Sequence, residues 1–491
     1  MKTKSILKTA CLACLLTLTA ACNNEAEDII ESTSVASRAT TEVVLSKNPL
    51  YILGSQDANG IYATTPLEAI SASTWEATTE MDVTIVAPQA ITLTGISARV
   101  NGEVVTFAEF QNADSENYID LAKGEGIRFS FPMLPATGEL IIRLHTTGTQ
   151  IIEQSVSGEV TAGTVCTLNF SDFTVTSGNN WMAALDDDRY VSQLSLPGTH
   201  DAATGDGTTF SLGKTQSLTL QEQWNMGIRV FDLRPGYKKV RQGWFKYVNQ
   251  LHIYHGIVST DTSWDEAIDC LTANLTANPQ EFAIIVMRFE NDSPLYNNRS
   301  TWNSLMSNYL NSELPSAYKV DFRPDLKVAD VRGKLLILSR DSYADTPITG
   351  GFISNWSHDS AGSTGGSIQG KNSTATLNIQ DYYSVEDTDA KLNSIYAFMD
   401  YASNSAAGVW TINHTSGYTG STGSNAAYCK NAVNNNPAAY RYIIDNARTD
   451  GNVGIIMMDH VGSRTTKSGS TTYTVYGDLL PQAIIDNNFR W

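Results

Sequence analysis

The chain has 491 residues, an apolar content of 42% and a formal net charge of −18 at pH 7. This apolar fraction excludes a largely disordered protein, and the length predicts about two domains plus a leader. The acidity argues against a general affinity for nucleic acid, because a phosphate backbone attracts basic surfaces.

The first residues have the features of an export signal. Three lysines give a basic start, and the apolar run from Ala10 to Ala21 is too short to span a membrane as a helix. The run leads into Leu-Thr-Ala-Ala-Cys at 18–22, which resembles the cleavage site of bacterial lipoproteins. Residues 1–22 are therefore predicted to be a lipoprotein signal peptide ending at Cys22, the lipid attachment residue. This implies an exported protein anchored to the bacterial outer membrane or cell surface; an ordinary signal peptide is the alternative.

The remaining cysteines do not indicate a metal site. Cys166, Cys270 and Cys429 are widely spaced and form no C-x-x-C or mixed Cys/His pattern. Neither a zinc site nor a disulfide framework is predicted from them.

The segment before residue 181 is predicted to be an accessory region. Residues 23–40 are polar and lack periodicity, as expected for a linker. Residues 41–177 contain short alternating apolar runs, such as 91–100 and 139–145, broken by Gly, Asn, Asp and Pro. This pattern predicts an all-β sandwich. It contains no cluster of His, Asp or Arg, so a spacer or a carbohydrate- or protein-binding module is expected, with its partner unknown.

From residue 181 to 491, apolar strand segments alternate with amphipathic stretches of helical length. The stretch 262–278 places four apolar residues on one helical face, and later helices are predicted at 437–448 and from Leu479 onward. Repeated β-then-α units with strongly apolar strands predict a parallel sheet. So many units in succession predict an α/β fold with a TIM-like barrel, whether regular, irregular or incomplete.

Ionisable or phenolic side chains follow the apolar strand segments. Chemistry in such barrels takes place where the carboxyl ends of the strands converge. The residues in question are His200, Asp201, Asp232, Arg234, His255, Arg340, Asp381, Tyr383 and Asp459. Because isolated charges are costly to bury, we expect these side chains to meet at one solvent-reachable site.

The residue types fit one kind of chemistry. Histidines, with an ordinary pKa near ~6.5, exchange protons in both directions around neutrality. An arginine neutralises a phosphoryl oxygen through its planar pair of donors. A base, an acid and a phosphate clamp together favour phosphodiester cleavage.

Residues 185–491 resemble the phosphatidylinositol-specific phospholipases C of bacteria. The most specific motifs are LPGTHDAAT at 196–204, GIRVFDLRPG at 227–236 and LHIYHG at 251–256, in that order. The resemblance implies cleavage of an inositol phospholipid to diacylglycerol and a cyclic inositol phosphate, without a cofactor. Free phosphatidylinositol, a glycosylated anchor and an inositol sphingolipid all fit as substrates.

The resemblance also implies roles for the strand-end residues. His200 would be the general base that removes a proton from the inositol hydroxyl, supported by Asp459. His255 would be the general acid for the departing diacylglycerol oxygen, paired with Asp201 and with Asp232 nearby.

Further implied roles concern charge and substrate binding. Arg234 would stabilise the phosphoryl charge, and Arg340, Asp381 and Tyr383 would hold the inositol ring. In calcium-dependent relatives an acidic metal ligand stands where this sequence has Arg234, so no metal is expected here.

The stretch 237–247 carries several basic residues and no acid, interleaved with aromatic residues. Trp244 and Phe245 are candidate contacts with an anionic membrane surface. A hairpin with a solvated face is the alternative. His252 lies earlier along the strand than His255 and is expected to be structural.

Two other functions stay open. A metal-dependent glycerophosphodiesterase or sphingomyelinase D-like enzyme would need acidic ligands close to His200, where the motif offers only Asp201. A non-catalytic, surface lipid-binding protein is the other alternative. Such a protein would have no need to retain two histidines, an arginine and supporting aspartates.

Overall fold

The computed structural model describes residues 50–66, 77–100, 103–146, 152–156, 160–171, 173, 178–206, 213–290, 298–420, 423–445 and 451–489. The predicted signal peptide with Cys22 and the predicted linker 23–40 lie outside these residues. Within the described ranges, no helix is both long and apolar enough to cross a membrane.

The N-terminal region contains ten strands in one hydrogen-bonded sheet. The strands are β1 (Leu50–Gln56), β2 (Ile61–Pro66), β3 (Thr79–Val86), β4 (Ile91–Val100), β5 (Glu103–Gln111), β6 (Ile119–Leu121), β7 (Gly126–Met133), β8 (Leu140–Thr146), β9 (Ile152–Val156) and β10 (Val165–Phe170). Their order is β10-β3-β7-β2-β1-β5-β4-β8-β9, and β6 pairs with β4.

Alternating side chains give this region its own core. Along β3, every second residue is buried, including Met81, Val83 and Ile85. Phe110 and Phe129 meet edge to face in the same core, with ring centroids 5.1 Å apart. Because successive side chains of a strand point to opposite faces of the sheet, every second residue packs into the apolar interior.

Nine strands close the predicted barrel. In order around the barrel they are β11 (Leu196–Thr199), β12 (Val230–Leu233), β16 (Ala283–Met287), β17 (Leu335–Ser339), β18 (Gly351–Ser354), β19 (Ser363–Gln369), β20 (Thr374–Gln380), β22 (Trp410–His414) and β24 (Ile455–Met458). Strand β19 runs antiparallel to both neighbours, whereas the other pairings are parallel. The predicted TIM-like barrel is confirmed, in an irregular form.

Three smaller sheets lie outside the barrel wall. They are the antiparallel sheet of β13 (Pro235–Gln242), β14 (Lys246–His255) and β15 (Val258–Ser263), the pair β21 (Ser384–Val385) and β23 (Tyr418–Thr419), and the hairpin β25 (Thr465–Ser468) and β26 (Thr471–Thr474).

The helices are Leu220–Asn225, Trp264–Ala277, Arg299–Asn308, Val328–Val331, Thr388–Ser403, Asn425–Asp445 and Leu479–Asn487. Ser263 caps the second of these helices, since its hydroxyl accepts from the backbone N–H of Glu266. The helix predicted to begin at Pro437 begins at Asn425 instead, so the proline lies inside it. The predicted start of this helix was therefore wrong.

Charged and aromatic contacts join the N-terminal sheet to the barrel. The Arg464 guanidinium is 3.0 Å from Asp120 and lies 3.6 Å above the Tyr118 ring. A second ion pair, 2.8 Å long, links Arg441 to Glu109. The two regions are therefore packed against each other through specific side chains.

A buried ion pair lies below the barrel strands. Arg229, just before β12, and Glu281, just before β16, have no exposed side-chain surface, and Arg229 Nε lies 2.8 Å from Glu281 Oε2. The Nη1 of Arg229 donates to the backbone oxygens of Trp224 and Ile228. Both charges are thus paired inside the core.

We expect Glu281→Gln to lower the free energy of unfolding by about 3–5 kcal/mol, because it leaves the Arg229 charge buried without its counter-ion. Urea unfolding measures the loss. The control is Asp188→Asn, which removes a pair with Lys327 in which the aspartate is 86% exposed and which should change little. Equal effects of the two variants would contradict this account.

Candidate active site

The sequence-predicted residues meet at the carboxyl end of the barrel. Because the strands around β11 and β24 are parallel, the residues after them reach the same rim. They are His200 and Asp201 after β11, Asp232 and Arg234 at the end of β12, Arg340 after β17, Asp381 and Tyr383 after β20, and Asp459 after β24. His255 comes from β14, which is not a barrel strand.

His200 lies between two carboxylates and is nearly buried, with 7% exposure. Its Nδ1 is 2.8 Å from Asp459 Oδ1, and its Nε2 is 3.2 Å from Asp201 Oδ2. Burial alone would lower the pKa of His200, but the charges of Asp201 and Asp459 outweigh it and raise that pKa to about 9. The ring is therefore a stronger base than an ordinary histidine.

Asp201 connects the two histidines to the arginine. Its Oδ2 lies 3.3 Å from His255 Nε2 as well as near His200, and its Oδ1 lies 2.7 Å from Arg234 Nε. The residue has a φ of 46°, a left-handed conformation that costs free energy outside glycine. This turn after β11 points one carboxylate at three partners.

Arg234 is held by two acids. Its Nη2 is 3.0 Å from Asp232 Oδ2, and its Nε is 2.7 Å from Asp201 Oδ1. Burial opposes ionisation at Asp232, but Arg234, His200 and Arg340 together lower the pKa of Asp232 to about 2. Burial likewise disfavours the charged arginine, and the adjacent aspartates more than compensate by raising its pKa. The guanidinium is thus a fixed positive charge.

His255 is oriented by the backbone. Its Nδ1 lies 2.7 Å from the carbonyl oxygen of Gly213, so Nδ1 carries the donated proton. Its Nε2 then faces Asp201 and the rest of the site. The rings of His200 and His255 lie 6.4 Å apart between centroids.

The residues predicted to hold the inositol ring form a second cluster. Asp381 Oδ2 accepts from Trp356 Nε1 at 2.8 Å and lies 3.2 Å from His358 Nδ1. Arg340 lies 3.8 Å above the Trp356 ring. Burial would raise the pKa of Asp381, but His414, His358 and Arg340 hold it well below the usual range. Asp381 is therefore an ionised acceptor.

A cavity of about 270 Å³ opens over both clusters. It is lined by His200, Arg234, His255, Gly256, Arg288, Glu290, Arg340, His358, Asp381, Tyr383, Gly417, Tyr418 and Tyr428. The catalytic and inositol-binding candidates thus share one pocket, in which Asp201, Asp232 and Asp459 support the lining side chains.

Sequence reasoning missed several residues of the site. Arg288 and Glu290 follow the apolar strand β16 and line the cavity. They could have been predicted in the same way as the other residues that follow apolar strands. His358 and His414 had no partner apparent in the sequence, yet both lie near Asp381. Their partner is close only in the folded chain.

Two candidate contacts lie away from this pocket. Trp244 and Phe245 occupy the turn between β13 and β14, where they are 84% and 91% exposed. His252 also lies away from the pocket, with Nε2 near the Thr260 carbonyl oxygen at 2.8 Å and Lys238 Nζ at 3.0 Å.

One group of side chains has the spacing of a metal site. In the described part of the chain, His200, Asp201 and Asp232 offer ligand atoms within 4.8 Å of one another. However, both carboxylates already pair with Arg234. A divalent cation here would have to compete with a fixed guanidinium, so the residues fit a metal poorly.

We expect Asp459→Asn to lower the pKa of His200, because the substitution removes one of the two charges that raise it. Titration of isotope-labelled histidine by NMR measures the shift. In the wild type, the folded pKa exceeds the unfolded one. The stabilisation is therefore complete below pH ~6.5 and is lost as the pH rises through about 9.

The control for this titration is Asp345→Asn, which changes an exposed loop aspartate. An unchanged His200 titration in Asp459→Asn would show that Asp459 does not set the charge of the ring.

Comparisons with known proteins show what the chain is similar to. No family model matches the chain. The 1-phosphatidylinositol phosphodiesterase of Listeria monocytogenes is 32% identical over 170 residues, which are 33% of this chain and 48% of the relative, so the chain spans about half of that protein. The Staphylococcus aureus (strain Newman) enzyme of the same name is 23% identical over 65% of this chain and 96% of its own length.

Solved structures agree on the fold. A histidine-to-tyrosine variant of the phosphatidylinositol-specific phospholipase C from Staphylococcus aureus matches with a TM-score of 0.51 and 20% identity, over 62% of this chain and 96% of its own. A second structure of that enzyme matches with a TM-score of 0.50 and 21% identity, over 63% and 97%. The barrel region is thus similar to the bacterial phosphatidylinositol-specific phospholipases C, and the resemblance predicted from the motifs is confirmed.

Proposed function

We propose that this protein cleaves phosphatidylinositol, or a related inositol phospholipid or glycosylated anchor, to diacylglycerol and a cyclic inositol phosphate. The observation that carries the proposal is the arrangement of His200 and His255 on either side of Asp201, with Arg234 bound to the same carboxylate. The names of the curated relatives support the same reaction.

In the proposed first step, neutral His200 takes the proton of the inositol hydroxyl next to the phosphate. The hydroxyl oxygen forms a bond to phosphorus, and the bond from phosphorus to the diacylglycerol oxygen breaks. His255 then donates a proton from its Nε2 to that departing oxygen. His200 thus takes up one proton, and His255 releases one. Asp459 stabilises the His200 imidazolium, and Arg234 stabilises the charge on the phosphoryl oxygens.

The geometry favours an internal nucleophile. Asp381, Arg340 and Tyr383 lie beside the histidine pair in the same cavity, so a ring held there presents its hydroxyl to His200. An attacking group already tethered to the phosphate needs little further ordering. A cyclic product follows from this tethering.

Two competing functions have less support. Metal-dependent phosphodiesterases rely on acidic ligands, whereas Asp201 and Asp232 are both paired with Arg234. A non-catalytic lipid-binding protein would need a pocket but no second histidine aimed at Asp201. We therefore propose a metal-independent enzyme.

Phosphorus NMR of phosphatidylinositol vesicles, with a chelator present, tests the reaction. We expect a cyclic inositol phosphate signal from the wild type and its loss in His200→Ala and His255→Ala, each by a factor of at least ~10² because each removes an acid or base. Lack of product from the wild type would overturn the proposal. Activity that returns only with calcium would overturn metal independence.

The pKa of His200 predicts the pH dependence. The base must be neutral, so protonation of His200, whose pKa is raised to about 9, should limit kcat/KM on the acid side of the profile. Asp459→Asn should move this acid limb to lower pH and lower the maximal rate. If the acid side of the pH profile does not move in Asp459→Asn, that part of the profile reports the titration of a group other than His200.

We also propose that the β13–β14 hairpin docks on the membrane. Trp244 and Phe245 are exposed at its turn, and Lys239, Arg241 and Lys246 lie on the strands beside them. Arg234 immediately precedes β13, and His255 ends β14. The base of the hairpin therefore carries two residues of the site, and an anionic surface complements its cations.

Replacing Trp244 and Phe245 by alanine should reduce activity on phosphatidylinositol vesicles by about tenfold, because each buried aromatic ring contributes favourable transfer free energy. Activity on soluble cyclic inositol phosphate should stay near that of the wild type. Tyr401→Ala, at an exposed aromatic residue of the helix Thr388–Ser403, is the control. Equal losses on both substrates would exclude docking by the hairpin.

The proposal also covers the lipid anchor and the N-terminal accessory domain. The basic start, the apolar run and the small residues before Cys22 support lipid attachment at that residue and export to the bacterial outer membrane or cell surface. The alternating strands between Leu50 and Phe170 support a β-sandwich accessory domain within the predicted bounds 41–177, followed by the barrel domain 181–491.

A further inference from the structure

We propose that Lys391 is a positioning residue, a buried cation that fixes the ends of β20 and β22 beside Asp381. The inference rests on the proposed function, since it assigns Lys391 a part in the same reaction. Lys391 does not line the cavity and acts through other residues.

The place of Lys391 is unfavourable for a cation. Its side chain has no exposure, and it is the only lysine that is buried in the described ranges. It lies in the first turn of the helix Thr388–Ser403, where the helix dipole repels positive charge. Burial and dipole both oppose an ammonium group here, so nearby groups must compensate for it.

One compensating contact is with Gln380 at the end of β20. Lys391 Nζ donates to Gln380 Oε1 at 3.0 Å, and the same oxygen accepts from the backbone N–H of Tyr382. The Gln380 amide donates to Asn413 Oδ1 at 2.7 Å and to the carbonyl oxygen of His414 at 2.9 Å. Lys391 thereby braces the ends of β20 and β22 together.

Negatively charged groups also compensate for the burial of the Lys391 ammonium group. Burial lowers the pKa of Lys391 to about 7, against the opposing influence of Asp381 from β20 and Asp459 from β24. The third titratable group that faces it is His414, at the end of β22. An ammonium group that interacts with two carboxylates offsets part of their mutual repulsion.

These two carboxylates have different tasks. Asp381 accepts from the side chains around the inositol position, and Asp459 orients His200. Loss of Lys391 should therefore raise KM through Asp381, because Gln380 next to it is no longer held, and should change kcat less. A purely structural lysine would change stability and leave this pattern unaltered.

The test compares Lys391→Met, which removes charge and donor, with Lys391→Gln, which keeps a donor for Gln380. Lys334→Met is the matched control, because Lys334 is partly buried at the start of β17 and donates to the carbonyl oxygen of Asp330. We expect both Lys391 variants to lose about tenfold in kcat/KM on phosphatidylinositol vesicles, the rate equivalent of one charge-assisted hydrogen bond. Lys334→Met should match the wild type.

The outcomes separate the two proposals. An inactive wild type overturns the proposed function itself. An active wild type with folded Lys391 variants of unchanged KM, kcat and pH profile overturns the role of Lys391. A Lys391→Gln enzyme as active as the wild type shows that the hydrogen bond suffices and overturns the role of the charge.

A measurement on the wild type covers the case in which the variants do not fold. Lysine labelled at the ε-carbon should show one side chain that titrates near pH 7 and shifts when soluble myo-inositol binds. The inference is overturned if all lysine signals titrate with ordinary lysine pKa values, or if the signal that titrates near pH 7 does not shift when myo-inositol is added.

Discussion

The carboxylate of Asp201 is the interaction on which the rest of the site depends. Its two oxygens reach His200, His255 and Arg234, which come from three different segments of the chain. A charge this deeply buried is tolerable only because each neighbour is positive or becomes so. The left-handed conformation of Asp201, just after β11, aims the carboxylate at all three.

The barrel and the hairpin make different contributions. Parallel strands bring His200, Arg234 and Asp459 to one rim, whereas His255 arrives on β14, outside the barrel wall. The second histidine is therefore placed by the same hairpin that exposes Trp244. The proposed membrane contact and the proposed general acid therefore lie on the same two strands.

The sequence rules succeeded where a residue's own strand decided its place. Apolar strands followed by ionisable or phenolic side chains indicated nine residues, and these meet in the folded chain. The rules failed where distant segments decided. Pro437 lies inside a helix whose first turn begins at Asn425, and β19 reverses direction within the barrel wall. In both cases, tertiary packing determined the structure against the preference of the local sequence.

The sequence by itself determined the barrel class, the two histidines, their acids and the arginine, because each is encoded by a short motif next to an apolar strand. Only the tertiary structure decided that Asp201 serves both histidines, that His358 and His414 flank Asp381, and that Lys391 donates to Gln380. These relations join residues far apart in the chain. Their proximity, and hence their charge state, exists only after the barrel has closed.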